Sequence, residues 1–356
     1  MKERRKISFP TIGRYNPAVK FFIENGLEQV YVKPPKMTRN TIDIGCKYSP
    51  DTVCMPFKTT LGNMIEALES GSDTIVMIPG VCRLAYYGEL HERILNDLGY
   101  DFDYVNMTKV YNTQNKKNYL KLLKYLNPKV NYAKCILAAA EAFKMVDYID
   151  EIVALYYQNM GFEIEKGAYK KVLDRFMLDM YRAKSRKNVK AGYMRAKDGF
   201  AGIPLNKSTH PIRVGIVGEF YTIQDEFSNL ELERKLAEMG VEVHRWMNVS
   251  HRNLHYSGEK KLHIHIKDYC KYEMGPTSTA NIWCAKDYAE RGFDGIIHIK
   301  SAGCTPEIDI MPVLQNIGKD YKVPILYLTY DSQTSDAGLL TRIEAFYDML
   351  QMKSTG

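Results

Sequence analysis

The sequence predicts an α/β protein made of two doubly wound, parallel-sheet halves with a helical insert between them. Short apolar runs alternate with amphipathic runs up to about residue 110, and the same alternation resumes at about residue 212. Between them, apolar residues recur only at helical spacing. Alternating strands and helices are typical of a parallel sheet covered on both faces. We therefore predict a first α/β domain at 1–110, a helical segment at 111–198, a linker at 199–211 and a second α/β domain at 212–356, with both halves Rossmann-like (flavodoxin-like).

The elements of the first half are bounded by turn residues. Apolar runs predict strands at 6–12, 29–32, 74–78 and 102–106. Amphipathic runs predict helices at 17–25, 57–69 and 86–98. Gly26, Gly71 and Gly99 each follow one of these helices, in the position where glycine commonly ends a helix.

The helical segment and the second half follow the same rules. Helical spacing predicts helices at 118–126, 132–160 and 163–187, separated by Asn127-Pro128 and by Gly161. Beyond the linker, the pattern predicts strands at 213–217, 241–246, 295–299 and 323–328. It also predicts helices at 229–239, 277–291, 306–317 and 339–350.

Composition narrows the class of protein. The 356 residues are 45% hydrophobic and 26% charged, with 49 basic and 42 acidic residues, so the formal net charge is +7. No apolar run approaches the roughly 18 residues of a membrane helix, and the charged N-terminus lacks the apolar stretch of a signal peptide. We expect a cytoplasmic protein that binds neither membrane nor nucleic acid.

One stretch concentrates positive charge: Arg182, Lys184, Arg186, Lys187 and Lys190. A solvated helix face explains it more simply than nucleic-acid binding. Docking of an acidic partner or an anionic substrate is the alternative.

Three of the seven cysteines fall where an α/β fold builds its ligand crevice. Cys82 and Cys304 each follow an apolar strand-like run, and Cys54 precedes a helix. Ligands of open α/β sheets bind beyond the carboxyl ends of the strands, and a helix N-terminus favours an anionic thiolate. Three converging thiols predict a metal or iron–sulfur site with one open coordination position. The alternative is that these thiols are small buried hydrophobic side chains.

The other cysteines are weaker candidates. Cys46, Cys270 and Cys284 could add thiols to a larger cluster, whereas Cys135 lies on an apolar helical stripe and is predicted to be core. Spacings of the C-x-x-C type are absent, so a metal site must be assembled from distant parts of the chain.

Charged residues near these cysteines are candidates for catalysis or for the wall of the site. They are Lys58, Arg83 and Glu219, and the last of these could equally cap the helix that follows it. The loop that begins at Asp331 follows the last strand and could line the same crevice, or simply cap the final helix. The phosphate-binding and nucleophile-elbow motifs of ATPases, Rossmann dehydrogenases and hydrolases are absent.

Several stretches together resemble a known family. They are Lys47-Tyr48-Ser49-Pro50-Asp51-Thr52-Val53-Cys54-Met55-Pro56-Phe57-Lys58, Val81-Cys82-Arg83 with Tyr86-Tyr87-Gly88-Glu89, Gly215-Ile216-Val217-Gly218-Glu219, Ala302-Gly303-Cys304-Thr305-Pro306-Glu307, and 337–346. The chain resembles the 2-hydroxyacyl-CoA dehydratase component family. Within that family it more closely resembles the acyl-CoA dehydratase activase-related proteins, also called CoA protein activases (DUF2229-like).

The resemblance implies a cofactor, a partner and an activity. In that family three cysteines, two early and one late, hold a [4Fe-4S] cluster, and Cys54, Cys82 and Cys304 match this order. An ATP-hydrolysing iron–sulfur activator of the actin/hexokinase superfold supplies a low-potential electron for radical removal of water from a 2-hydroxyacyl-CoA. Related double-cubane proteins hold an [8Fe-9S] cluster and reduce small molecules. The family chemistry is anaerobic.

The chain departs from the dehydratases in one loop and leaves three functions open. Asp331 is followed by Ser-Gln-Thr where the family has Glu-X-Thr, and no residue is assigned to CoA binding. The protein is expected to be a lyase or an ATP-coupled reductase component, with a non-catalytic electron relay that binds the activator as the second alternative. A structural protein with buried thiols or zinc is the third, and a homodimer is compatible with each.

Overall fold

A computed structural model describes residues 4–77, 84–107, 116–255 and 258–355. The chain divides into two compact units, Met1–Val146 with Met180–Val189, and Asp147–Asp179 with Lys190–Gly356. Each unit contains a four-stranded, all-parallel sheet flanked by helices. The predicted fold class, α/β with two Rossmann-like halves, is confirmed.

The sheet of the first unit is short. Its strands are β1 (Lys6–Ser8), β2 (Val30–Tyr31), β3 (Thr74–Met77) and β4 (Asp103–Asn106), in the order β2-β1-β3-β4. β1 ends at Ser8, earlier than predicted, because Pro10 has no N–H to donate to a ladder. The buried core beneath this sheet joins Ile7, Phe9, Leu27 and Val105.

The described helices of the first unit cover its sheet. They are α1 (Asn16–Phe21), continued by a π-turn (Phe22–Gly26), α2 (Arg39–Tyr48), α3 (Met55–Glu69), α4 (Leu84–Asp97) and α5 (Lys116–Leu126). The sequence pattern missed α2, which begins at a capping box between Thr38 and Thr41. It is a short, polar helix in which only Thr41 and Gly45 are buried, so it lacks the run of large apolar residues that marks the other helices.

The helical segment forms longer elements. They are α6 (Tyr132–Asn159), a 3-10 turn (Met160–Phe162), α7 (Ala168–Arg182) and α8 (Arg186–Ala201). The single helix predicted at 163–187 is wrong: Ser185 interrupts it, and its hydroxyl accepts a hydrogen bond from the Asn188 N–H at the start of α8. α8 extends into the predicted linker, and Gly199 lies against the Val172 side chain of α7.

The sheet of the second unit is longer and more deeply buried. Its strands are β5 (Arg213–Gly218), β6 (Glu242–His244), β7 (Gly295–Ser301) and β8 (Ile325–Tyr330), in the order β6-β5-β7-β8. Six residue pairs join β7 to β8 in parallel register, from Ile296–Ile325 to Ser301–Tyr330. Strands buried on both faces read as continuous apolar runs, which is why 213–217 and 295–299 were predicted closely.

The helices of the second unit are mostly short. They are α9 (Phe220–Gln224), α10 (Leu232–Glu238), a π-turn (Ser250–Leu254), α11 (Glu259–Ile264), α12 (Pro276–Glu290), α13 (Thr305–Asp309), α14 (Met311–Asp320) and α15 (Asp336–Thr355). The single helix predicted at 306–317 is two helices that meet at Ile310. Pro312 supplies no N–H to the preceding turn, so the helical ladder is interrupted there.

Two glycines let α2 and α3 approach each other at backbone contact. A Cβ on Gly45 would overlap the carbonyl oxygen of Lys58, and a Cβ on Gly62 would overlap that of Thr41. This close contact fixes α2 beside the first turns of α3. Within the described residues, no helix is both long and apolar enough to cross a membrane.

We expect Gly45→Ala to lower the free energy of unfolding by about 1–3 kcal/mol, because the added methyl group must push the two helices apart. The measurement is the urea midpoint. Gly202→Ala is the control, since its Cβ would meet no atom closer than 3.6 Å. Equal midpoints for Gly45→Ala and the unchanged protein would contradict the close packing.

Candidate functional site

The strand order reverses at the same position in each sheet. In an open parallel sheet, ligands bind beyond the carboxyl ends of the strands where the order reverses. The reversal lies between β1 and β3 in the first unit and between β5 and β7 in the second. Cys82 and Arg83, which follow β3 in the sequence, lie outside the described residues. Cys54 belongs to the first unit and Cys304 to the second, so each is described within its own unit.

Cys54 is the N-cap residue of α3 and is half-buried. Because α3 runs back to the start of β3, its amino end points toward the carboxyl edge of the sheet. The fully buried Asn63 holds α3 at that edge. Its Oδ1 accepts a hydrogen bond from the Thr11 N–H after β1 (2.8 Å), and its Nδ2 donates to the Pro35 carbonyl after β2 (3.0 Å).

Lys58 and Cys46 both lie close to this helix start. The Lys58 ammonium folds back and donates to the Asp51 carbonyl, in the turn before Cys54 (3.2 Å). Cys46 is half-buried on α2, next to Gly45, which contacts the Lys58 carbonyl. Lys58 therefore lies in the first turn of α3, and Cys46 lies on the helix that packs against that turn.

A buried histidine that the sequence pattern did not single out supports the same turn. His91 on α4 is fully buried and stacks on Phe57, with ring centroids 4.0 Å apart. Its Nε2 lies 3.1 Å from the Phe57 carbonyl oxygen, so Nε2 carries a proton and donates it. Burial lowers the pKa of His91 to about 4, and the hydrogen bond only partly opposes this, so the ring is neutral at pH 7.

Cys304 occupies the corresponding edge of the second sheet. It follows β7 after the turn Ala302-Gly303, and it is the half-buried N-cap residue of α13. Its N–H donates to the Ser301 carbonyl (3.1 Å). Gly303 has φ +75°, a left-handed conformation that favours glycine, and this lets the chain turn directly from strand to helix.

A fully buried polar network fixes this turn from below. Glu307 on α13 has its Oε2 2.8 Å from His298 Nε2 of β7, and its Oε1 accepts a hydrogen bond from Asn281 Nδ2 of α12 (2.8 Å). Asn281 also bonds both backbone groups of Gly218 at the end of β5 (3.0 Å each). The network therefore connects the Cys304 turn to the end of the neighbouring strand.

Glu219, a predicted site-wall candidate, has the contacts of a helix cap. Its oxygens accept hydrogen bonds from the Tyr221 N–H (2.9 Å), the Thr222 N–H (2.8 Å) and the Thr222 hydroxyl (2.6 Å). Burial raises the pKa of Glu219, and the nearby Glu307 carboxyl adds to this, while the hydrogen bonds lower it. The capping alternative is thus present in the structure, and a contact with a ligand stays a prediction.

The loop after β8 is also organised by capping. Asp331 Oδ1 accepts hydrogen bonds from the Gln333 N–H (2.8 Å) and the Thr334 hydroxyl (3.0 Å). Ser335 then accepts a hydrogen bond from the Gly338 N–H at the start of α15 (3.2 Å). This is the helix-capping alternative stated above, and Gln333 contributes only a backbone group to these contacts.

Three other cysteines, Cys135, Cys270 and Cys284, are more deeply buried than Cys54 and Cys304. Cys284 lies in the apolar core of the second unit, and burial raises its pKa well above the usual range. Burial also raises the pKa of Cys270, whose thiol donates to the Tyr272 carbonyl (2.8 Å), and of Cys135, whose thiol donates to the Gly26 carbonyl (3.0 Å). Metal ligation requires a thiolate, which these surroundings disfavour. Among the described residues, which do not include Cys82, no three His, Cys, Asp or Glu are grouped as metal ligands.

The sequence carried one signal for the network that was missed. His298 is the only strongly polar side chain between Gly295 and Ile299, an otherwise apolar strand. A polar group inside such a strand needs a buried partner. Its partner, Glu307, lies on the following helix, and Glu307 is in turn bonded by Asn281 of α12, so periodicity could not identify either residue.

No protein-family model matches the chain, and no curated protein matches it. The class that fold and site define is therefore an α/β protein with a half-buried thiol at the carboxyl edge of each of its two parallel sheets.

We expect a histidine-dependent loss of stability in acid. The folded pKa of His91, about 4, lies below its ordinary value of 6.5, so between these pH values the unfolded chain binds more protons. The contribution of His91 to the free energy of unfolding is therefore greatest above about pH 6.5. It falls by up to about 3 kcal/mol as the pH approaches 4. Urea unfolding of the unchanged protein and His91→Gln at several pH values measures it. Parallel pH profiles for the two proteins would contradict the assignment.

Removing Glu307 is expected to destabilise the second unit. Glu307→Ala leaves His298 and Asn281 without their buried partner, at a cost of about 3 kcal/mol, and loosens the Cys304 turn. Urea unfolding gives the stability, and the rate of Cys304 alkylation, followed by mass spectrometry, reports on the turn. Glu290→Ala removes an exposed ion pair to Lys286 and serves as the control, with an expected change below about 1 kcal/mol. Equal effects of the two substitutions would rule out the supporting role.

Proposed function

We propose that this chain is an iron–sulfur protein of the 2-hydroxyacyl-CoA dehydratase type, with Cys54, Cys82 and Cys304 as ligands of a [4Fe-4S] cluster. One observation carries the proposal. Cys54 and Cys304 are each a half-buried N-cap residue at the carboxyl edge of their own sheet. Three of the other thiols are buried, with raised pKa values.

The donor set fits such a cluster. Thiolates are the usual ligands of iron–sulfur clusters, and a position before a helix favours the anionic form. Three protein ligands leave one iron of a cubane open. A bound cluster would supply a one-electron carrier between the activator and the substrate, with an iron site open to a substrate oxygen, which is what radical dehydration of a 2-hydroxyacyl-CoA requires.

The contribution of the chain's own residues is mainly to position the ligands. Glu307, His298 and Asn281 hold the Cys304 turn through buried hydrogen bonds. His91 holds the first turn of α3, which Cys54 begins. Neutral or paired buried groups at these places fix the thiols without adding an uncompensated charge beneath them.

Cations supply the complementary electrostatics. Lys58 lies one turn beyond Cys54, and Arg83 follows Cys82 in the sequence. A cation beside a thiolate-ligated cluster raises its reduction potential and holds an anionic ligand. We propose that Lys58 and Arg83 form the wall of the site. We also propose that the electron donor is an ATP-hydrolysing activator of the actin/hexokinase superfold, in the cytoplasm.

Iron and sulfide analysis of protein purified without oxygen tests the proposal. We expect brown protein with about four iron and four sulfide ions per chain. Cys54→Ser, Cys82→Ser and Cys304→Ser should each lose most of the iron. Cys135→Ser is the matched control, because serine can keep the hydrogen bond to the Gly26 carbonyl. Colourless, iron-free protein after cluster reconstitution would contradict the proposal.

Two further outcomes separate the related functions. About eight irons per chain would indicate a double-cubane reductase. If the iron content is about four, incubation with the activator, ATP, a strong reductant and a panel of 2-hydroxyacyl-CoAs distinguishes catalysis from relay. Formation of an enoyl-CoA supports the dehydratase, whereas cluster reduction without any product indicates an electron relay.

A further inference from the structure

The first part of α6 is apolar on both of its faces. Between Lys134 and Glu141 the helix carries only Cys-Ile-Leu-Ala-Ala-Ala. Cys135 and Ala138 are buried against the core of the first unit. Helices that are apolar all round are normally covered on every side. The outward side of this helix is therefore expected to have a partner.

The outward side forms one continuous patch. Ile136 is 69% exposed, Leu137 72% and Phe143 54%, and Ala140 between them is also exposed. These four residues, here called the apolar face, follow i, i+1, i+4, i+7 spacing and so share one side of the helix. Single exposed apolar side chains are common, but three large ones within two turns are a mark of an interaction surface.

A strongly basic turn lies next to the apolar face in the same unit. Arg182, Lys184, Arg186 and Lys187, here called the basic turn, are exposed, and no acidic residue occurs from 180 to 190. Arg186 Nε lies 4.0 Å from Glu141 Oε2 on α6. Since Glu141 is one turn from Leu137, this contact places the basic turn at the edge of the apolar face.

Charge decides among the possible occupants. A two-fold contact with a second copy would bring two basic turns into one interface, and the repulsion between these like charges is unfavourable. A helix that binds at a membrane surface presents a polar face on its opposite side, whereas the opposite side of α6 is buried in the core. A protein surface that has both carboxylates and apolar side chains would complement the basic turn and the apolar face together.

We propose that the apolar face and the basic turn form a docking surface for an amphipathic, acidic helix of a partner protein. Ala140, small and central, would let a second helix approach α6 closely, with its apolar residues between Ile136 and Phe143 and its carboxylates toward the basic turn. The surface contains none of the residues assigned to the cluster, so it stands independently of the proposed function.

The test uses the full chain in air, without metal, and a fluorescent synthetic peptide as the probe. The peptide has leucines on one side of a helix and glutamates beside them, and a scrambled peptide of the same composition is the comparison. We expect saturable binding by fluorescence anisotropy, weakened at least about tenfold in Leu137→Ser and in an Arg186→Glu, Lys187→Glu double variant. Salt should weaken it as well.

Ile164→Ser is the control, because Ile164 is 64% exposed but belongs to the second unit. It should bind like the unchanged chain, and circular dichroism checks that every variant is folded. No binding, equal binding of the scrambled peptide, or binding unchanged by Leu137→Ser would overturn the proposal. Leu137-dependent binding to phosphatidylserine vesicles, or Leu137-dependent self-association in sedimentation, with no peptide binding, would assign the face to lipid or to a second copy and overturn it too.

Discussion

Backbone groups just beyond the end of a parallel strand have lost their ladder partners, and the carboxyl edges of both sheets depend on how these groups are satisfied. Each unit uses a fully buried asparagine on the helix before its third strand: Asn63 bonds the Thr11 N–H, and Asn281 bonds Gly218. An unsatisfied buried group would cost about 1–3 kcal/mol. A buried asparagine therefore fixes the backbone at the strand ends in both halves, which share a strand order but no evident sequence repeat.

The second unit adds charge to this arrangement. Glu307 and His298 are both fully buried and would be costly if either stood alone. Glu307 pairs with His298 and also accepts a hydrogen bond from Asn281. The position of the Cys304 turn therefore depends on β7, α12 and α13 together. The first unit uses a less polar support, the neutral His91 stacked on Phe57. Two different solutions thus hold a half-buried thiol at the amino end of a helix.

Part of the candidate site could be predicted from sequence, and part could not. The positions of Cys54 and Cys304 followed from local signals, because an apolar run, a glycine turn and an early proline mark a strand end and a helix start. The burial of Cys284 and the support by Asn281 did not. Each depends on partners from elements far apart in the chain, and periodicity contains no information about such partners.

By itself, the sequence determined the alternation of strands and helices, the parallel α/β class and the interruption by long helices. These follow from residue periodicity and from glycine and proline, which act within a few residues. Only the tertiary structure decided the strand orders, the position of the polar helix α2 through the Gly45 and Gly62 contacts, and the exposure of Ile136, Leu137 and Phe143. The physical reason is that burial and backbone contact are properties of neighbours in space. An apolar helix such as α6 has the same sequence pattern whether both of its faces are covered or one is left for a partner.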